Sequence, residues 1–426
     1  MKPLVIALLL CALSEAAVVA RWEAGRGAAG IELVRGPESP WKLEASPHGP
    51  VAALEPSPDY YRRAAFQLKL PEALAGPLWL SVEYVDEGYG LIAVEPGTAQ
   101  ARQWGVARLA TGRLRRAVFG YGAGELGGRL RLYGVTRLRA LALSDAEPER
   151  EPIPDVQPAV RLKRPAQLVT TAGADARTPE GLEEALATMR NLLPLVRALG
   201  FGGIESYVKW NFVERSPGLF DWSFYDAVND ELDRHGLRWF PLLIVGSAYT
   251  LPAWFHDSEE NAGFECLEHR MRNDIQSIFC GLQDRYVERF LAEFGRHYGR
   301  RKTLLGVRLG PSGNYGEAQY PARGDWGYQW GPIHTHIGYW AADACAQRRF
   351  REWLRERYRS IEALNQAWGE RYGSFEEITT FLPATALARR KRIDFADWYM
   401  DSMSRWCERW AEWARQAMPE TVIHQS

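Results

Sequence analysis

FGGIESYVKWNFVERSPGLFDWSFYDAVNDELDRHGLRWFPLL, residues 201–243, contains one whole strand, turn, helix and strand unit. The run FGGIESYVKW reads as a strand, and Ser216, Pro217 and Gly218 then turn the chain. Asp221 is the expected N-cap of an amphipathic helix around Trp222 to His235, and Gly236 stands where a left-handed C-terminal residue is wanted. RWFPLLIVG follows as a second, continuously apolar strand. The pattern repeats on both sides. AQLVTTAG precedes a helix around Gly181 to Leu199, and a helix around Leu282 to Tyr298 precedes LLGVRLG. Two helices are expected between Ala341 and Met418, and TVIHQS closes the series as a fifth strand. Apolar strands alternating with amphipathic helices predict a parallel sheet covered by helices.

No glycine-rich phosphate turn follows the first strand, which argues against a dinucleotide or phosphate enzyme. The polar punctuation instead follows the strands, at the end where a (β/α) barrel builds its chemistry. The expected fold for residues 160–426 is therefore α/β, a (β/α)8-type TIM barrel with five strands, incomplete at the C-terminus.

Upstream the period changes. Residues 21–146 carry short alternating runs, AAFQLKL, LWLSVEYV, GLIAVEP, RLRRAVFGY, GRLRLYGV and LRALALS, between Gly, Pro and Asp turns. They predict an antiparallel β-sandwich, jelly-roll-like by analogy. Residues 147–159, charged and rich in proline, read as a linker. Residues 1–20, MKPLVIALLLCALSEAAVVA, have a basic start, an apolar stretch and small residues before Arg21, the pattern of a secretory signal peptide. A secreted or periplasmic protein is expected, with no membrane association once the leader is cut.

A net charge of −1 gives no electrostatic reason to expect nucleic acid. Seventeen tryptophans are the compositional excess, and flat rings on loops suit the apolar faces of sugars. Outside the leader, Cys266 and Cys280 are the pair expected to form a disulfide, with Cys345 and Cys407 as buried thiols in helical patterns. A metal reading would use Cys266, His269 and Cys280, or His334 and His336. Neither set has the spacing of a known zinc motif, so no metal and no cofactor is expected.

Residues 201–243 resemble the second strand, helix and third strand of glycoside hydrolases of the family 42 β-galactosidase type. LPAWF (251–255) is similar to that group's Pro-x-Trp, and RFREWLRERYRSIEALNQAWGERYGSFEEI (349–378) to its helix pair. GPSGNYGEAQYP (310–321) resembles the Gly-Pro-x-Gly turn of the β-amylases. The resemblance implies secreted hydrolysis of O-glycosidic bonds in an oligo- or polysaccharide, β-galactosidase-like and with retention. It implies a general acid/base glutamate after the fourth strand, where the expected position holds Asn314 and a glutamate comes three residues later. Glu317 is accordingly the expected acid/base, in a turn whose glycines leave room for a sugar and whose rings exclude water. Glu205, Lys209, Trp210, Trp254, Asn314, Tyr315, Trp326, Trp330 and His334 are the expected sugar contacts, a salt bridge being the alternative for Glu205 and Lys209. The second carboxylate is expected beyond Ser426, as if the chain were a fragment. A non-catalytic carbohydrate-binding protein on the same barrel is the alternative. The sequence implies no oligomeric state.

Overall fold

The computed structural model describes residues 17–425 apart from 38, 57–62, 70–75, 98–102, 123, 157–168, 172–180 and 323–333. The chain divides into two units, Met1–Arg161 with Arg190–Gly200, and Leu162–Met189 with Phe201–Ser426.

The first unit is antiparallel. Its strands are β1 (Val18–Glu23), β2 (Gly27–Ala29), β3 (Ile31–Val34), β4 (Trp41–Glu44), β5 (Val51–Leu54), β6 (Arg63–Leu68), β7 (Leu78–Val85), β8 (Tyr89–Pro96), β9 (Gln103–Leu109), β10 (Leu114–Tyr121), β11 (Arg129–Tyr133) and β12 (Arg137–Ser144). One sheet runs β10-β7-β12-β1-β2 with β5 and β4 attached to β12, and the other runs β3-β6-β11-β8-β9. Alternation explains the core. Leu80, Val82 and Tyr84 of β7 and Leu130 and Leu132 of β11 point into one apolar cluster fed by both sheets. All six expected strands are present. The first five and β9 go beyond the expectation, because runs such as WKLE and IELV are short and mix charge with apolar residues.

The first strand also begins earlier than Arg21. Val18 to Ala20 pair with Ser144 and Leu143, Ala20 is buried, and the backbone N–H of Ala17 donates to Asp145.

The second unit holds the parallel sheet, made of β13 (Val169–Thr171), β14 (Gly203–Lys209), β15 (Arg238–Ile244), β18 (Val307–Gly310) and β19 (Ile423–Gln425). Between β15 and β18 lies a small hairpin, β16 (Gly263–Glu265) and β17 (Arg272–Gln276), which periodicity did not predict. The parallel strands are neighbours in chain order, β13-β14-β15-β18-β19. A doubly wound sheet reverses direction at a switch point, and this one does not. Single winding in chain order is how a TIM-barrel wall is laid down.

The helices are α1 (Leu182–Ala198), α2 (Trp210–Val213), α3 (Ser223–Arg234), α4 (Ala253–His256), α5 (Asp284–Tyr298), α6 (Ala344–Tyr358), α7 (Ile361–Trp368) and α8 (Arg389–Ala417). Two local expectations change. The N-cap of α3 is Trp222, while Asp221 accepts the Ser223 N–H one step earlier, and hydrogen bonds from the Ser223 hydroxyl and backbone lower the Asp221 carboxyl pKa. The segment after Ala341 forms three helices rather than two, because Arg359 at φ 64° and Gly369 at φ 69° each break the run.

Asp394 of α8 ties the last three helices together. It is fully buried and accepts from Trp368 Nε1 of α7 at 2.7 Å, from Arg357 of α6 at 3.0 Å, and from Tyr358 and Arg390. Replacing it takes the acceptor from the Trp368 indole N–H and the Tyr358 hydroxyl and a buried carboxylate from two guanidinium groups. Asp394→Ala is expected to lower the unfolding free energy by about 3 kcal/mol in denaturant titration. An export leader, where one is cut, has to end at or before Ala17 to leave β1 whole. If the protein is exported, N-terminal sequencing is expected to give a start at or before Val18, and a start at Arg21 would contradict the observed strand.

Candidate active site

The strands β14, β15 and β18 end side by side, at Lys209, Ile244 and Gly310. The turn after β18 is packed down onto β15. A Cβ at Gly310 would lie 2.7 Å from the Leu243 carbonyl oxygen, and one at Gly316, whose φ is 94°, would lie 3.0 Å from Ile244 Cγ1. The glycines thus let two backbones touch, where the sequence suggested space for a sugar. Ser247 Oγ donates to the Gly313 carbonyl at 3.0 Å, and Tyr249 Oη donates to the Tyr315 carbonyl at 3.4 Å.

Helix α8 grips the same turn from the other side. Trp406 Nε1 donates to the Pro311 carbonyl at 2.7 Å. Tyr320 stacks on Tyr399 with ring centroids 3.7 Å apart, and its hydroxyl donates to the Tyr399 carbonyl at 2.6 Å. Asn314 closes the loop on itself, its Nδ2 donating to Ala322 O at 2.6 Å and its Oδ1 accepting from Ala322 N at 3.2 Å. Both ends of the Asn314 amide are used by the backbone, and the side chain is 1 % exposed, so it acts as a clasp rather than as the expected hydroxyl contact.

Glu317 stands half-buried on this clamped loop. Its Oε2 accepts from Gln319 Nε2 at 3.3 Å, and among the described residues no cation pairs with it. Tyr315 beside it is also half-buried.

The expected contacts from β14 take other places. Glu205 is third in its strand, well below the strand end, and is joined to Arg308 of β18 at 3.2 Å. The salt-bridge alternative holds for it. Lys209 is 2 % exposed, with its ammonium 5.0 Å from the Phe212 ring centroid and 5.2 Å from that of Tyr249. Such a box of rings stabilises a buried cation through the negative faces of the π-systems.

Trp210 is fully buried, 5.4 Å from Trp254 and 4.9 Å from Phe255 by ring centroid, and its Nε1 donates to Glu214 at 2.6 Å. It is a packing ring, not the sugar surface expected from its position. Trp254 is half-buried, its Nε1 donating to the Glu214 carbonyl at 2.9 Å. Trp326 and Trp330 lie outside the described residues.

Glu214 was not among the expected contacts, yet it organises this corner. Fully buried, it accepts from Trp210, from Gly218 N at 2.6 Å and from Arg289 of α5. A glutamate between a short apolar run and a turn gave no signal that it would be enclosed. Asn211, whose Nδ2 donates to the Tyr249 carbonyl at 3.2 Å, was missed for the same reason.

The cysteines rearrange the remaining expectation. Cys280 is bonded to Cys345, not to Cys266, with Cα atoms 4.9 Å apart. The folded chain brings the start of α6 to the loop after β17, a closeness that sequence separation conceals. Cys345 is therefore not the buried thiol expected, while Cys266 and Cys407 are free. His334 lies beside Cys266, His269 and His336. Burial and the two neighbouring imidazoles hold the His334 pKa below the usual histidine range.

Comparison with known proteins gives several partial matches. A family model described as Beta-galactosidase matches residues 333–426. A thermophilic beta-amylase of Thermoanaerobacterium thermosulfurigenes is 26 % identical over 198 residues, covering 42 % of this chain and 34 % of the relative. Beta-galactosidase Bga of Halorubrum lacusprofundi is 27 % identical over 240 residues, covering 54 % and 31 %. Among solved structures, the catalytic domain of the Paenibacillus polymyxa beta-amylase has a TM-score of 0.48 at 18 % identity, covering 60 % of this chain and 65 % of that one. The chain spans about a third of the length of these two curated relatives. By sequence, the chain is a relative of glycoside hydrolases, of the family 42 β-galactosidase type and of the β-amylases.

Proposed function

We propose that this chain belongs to a secreted enzyme that hydrolyses O-glycosidic bonds, with a β-galactoside as substrate and retention of configuration, and with Glu317 as general acid/base. One observation carries the assignment. Glu317 is the carboxylate held half-exposed on the loop after the fourth strand of the wall, on a backbone fixed from both sides, with no cation among the described residues to neutralise it. A proton donor must be held within hydrogen-bond reach of the glycosidic oxygen, and a clamped loop supplies that position.

In the proposed reaction Glu317 gives its proton to the leaving oxygen as the bond breaks. It then takes a proton from the water that completes hydrolysis. In a retaining enzyme the opposing carboxylate stands about 5 to 5.5 Å away and forms the glycosyl-enzyme bond. Tyr315, Trp254, Trp326 and Trp330 are proposed as sugar-facing rings.

Export is supported by the Cys280–Cys345 disulfide, a bond typical of oxidising compartments. The relatives include both β-amylases and β-galactosidases, and the family match over residues 333–426 favours the galactoside.

The test is hydrolysis of 4-nitrophenyl β-D-galactoside and of soluble starch by a protein that joins this chain to the barrel segment carrying the opposing carboxylate, and by its Glu317→Gln variant. The expected result is galactoside cleavage that falls by about 100- to 10,000-fold in the variant, with an unchanged melting temperature. Near-normal turnover by Glu317→Gln would remove the assignment. Binding of galactosides without any release would favour the non-catalytic alternative.

A further inference from the structure

A groove runs between α6 and α8, and neither Glu317 nor Tyr315 lines it. Its main hollow, of about 400 Å³, is bordered by Arg349, Glu352, Trp353 and Glu356 of α6 and faced by Asp401, Arg405, Glu408 and Glu412 of α8. Each set keeps the spacing of one helix face. A second hollow joins the first, and Trp353, Glu356, Asp401 and Arg405 line both. Ala346, Phe350 and Leu354 form the buried stripe of α6, so Trp353, one residue off that stripe, is left half-buried at its edge. The floor is closed by rings. Phe279 stacks on Trp398 with centroids 5.0 Å apart, and Trp406 lines the same hollow, all three buried. Close-packed rings cannot rise to fill the groove.

Trp353 differs from the other tryptophans around it. Every other described tryptophan of the second unit packs against an aromatic ring or an imidazole. Among the described residues Trp353 has no such neighbour, and its indole N–H has no acceptor. The Arg357 guanidinium lies over the ring, 4.9 Å from its centroid, and backs it as a platform. The charges around it cancel. Arg349 pairs with Glu352 at 3.1 Å, Arg405 with Asp401 at 3.4 Å, and Arg409 with Asp284. Paired charges of both signs make no field for a phosphate or another anion. An apolar helix fits no better, because both rims are charged and the floor rings are already buried. A neutral ligand with one flat apolar face and many hydroxyls uses all of it: the ring takes the face, the carboxylates accept and the guanidinium donates.

We propose that this groove is a second, non-catalytic saccharide site, in which Trp353 stacks on the apolar face of a neutral pyranose while Glu356 and Asp401 accept from its hydroxyls and Arg405 donates to them. The two hollows meet at Trp353, so a chain of sugars lies across the ring with a residue in each. The site holds a polymer and makes or breaks no bond. The choice of a neutral sugar rests on the groove, and the choice of a polymer rests on the proposed function. Sequence reasoning passed over Trp353 because the helical pattern around it reads as ordinary packing, and only the fold shows that this ring has no ring to pack on.

The experiment is affinity gel electrophoresis of the full chain in gels containing galactan, soluble starch or heparin, with Glu317→Gln present throughout so that no polymer is cut. Retardation by galactan or by starch is expected, the stronger of the two naming the sugar, with none by heparin. Adding Trp353→Ala is expected to weaken that binding about tenfold. Trp353→Phe, which keeps a ring, is expected to stay within about threefold, and neither change is expected to move the melting temperature. Migration unaffected by both neutral polymers overturns the site. So does retardation that Trp353→Ala leaves unchanged, which puts the sugar elsewhere on the chain, or retardation by heparin that equals or exceeds that by the neutral polymers. Hydrolysis plays no part in the measurement, so a failure of the Glu317 assignment and a failure of this site are read separately.

Discussion

The closeness of Gly310 and Gly316 to the end of β15 is the constraint on which the candidate active site rests. With a side chain at either place the turn would have to lift away from Leu243 and Ile244. Lifting it would undo the Ser247 bond to Gly313 and pull Pro311 and Tyr320 from Trp406 and Tyr399 of α8. Glu317 is therefore placed by groups that never touch a substrate: two missing methylenes beneath it, one helix behind it, and the Asn314 clasp across it. A catalytic carboxylate must be fixed within a fraction of an ångström by groups whose own rotamers are locked. Steric exclusion and buried hydrogen bonds do that better here than a salt bridge would, because an arginine partner would occupy the lone pairs that chemistry needs.

Buried carboxylates are used in the opposite sense elsewhere in the same unit. Glu214 and Asp394 are both fully enclosed, and each accepts from an indole N–H and from at least one guanidinium. Enclosing an acid is costly unless its lone pairs are filled, and here three or more donors fill them. The result is fixed geometry between elements distant in sequence: the loop after β14 with α5, and α6 with α7 and α8. Glu205 does the same within the wall, reaching Arg308 across β15. Glu317 differs from these acids: among the described residues its carboxylate meets an amide, Gln319, and no cation.

Much of this was legible in the sequence where periodicity is strong. The strand, helix and strand of residues 201–243 appear within a residue or two of expectation, because a seven-residue apolar strand and an amphipathic helix each bury a face that sequence order displays. Short mixed strands such as Trp41–Glu44 carry too few apolar positions to show a period, and the β16–β17 hairpin is three and five residues long. Positions at the strand ends were harder. Trp210 looked like a surface ring because it follows a strand, yet a four-residue helix turns it inward against Trp254 and Phe255. Cysteine pairing was illegible for a different reason: sequence distance does not measure spatial distance, and the partner of Cys280 lies 65 residues on.

The connection from the end of β18 to the start of α6 is where these facts meet. It spans residues 311–343, carries Glu317 near its beginning and ends beside the Cys280–Cys345 bond. A connection of that length costs conformational entropy to hold in one place, and closing it with cross-links offsets part of the cost. Its first part is held by α8 and β15, through Pro311, Gly313 and Tyr320. Its last part is held to the β16–β17 hairpin by two backbone hydrogen bonds, and the disulfide ties the start of α6 to the loop after β17. The part of the connection that carries Glu317 is therefore fixed by the wall and by α8, independently of the hairpin that holds its other end.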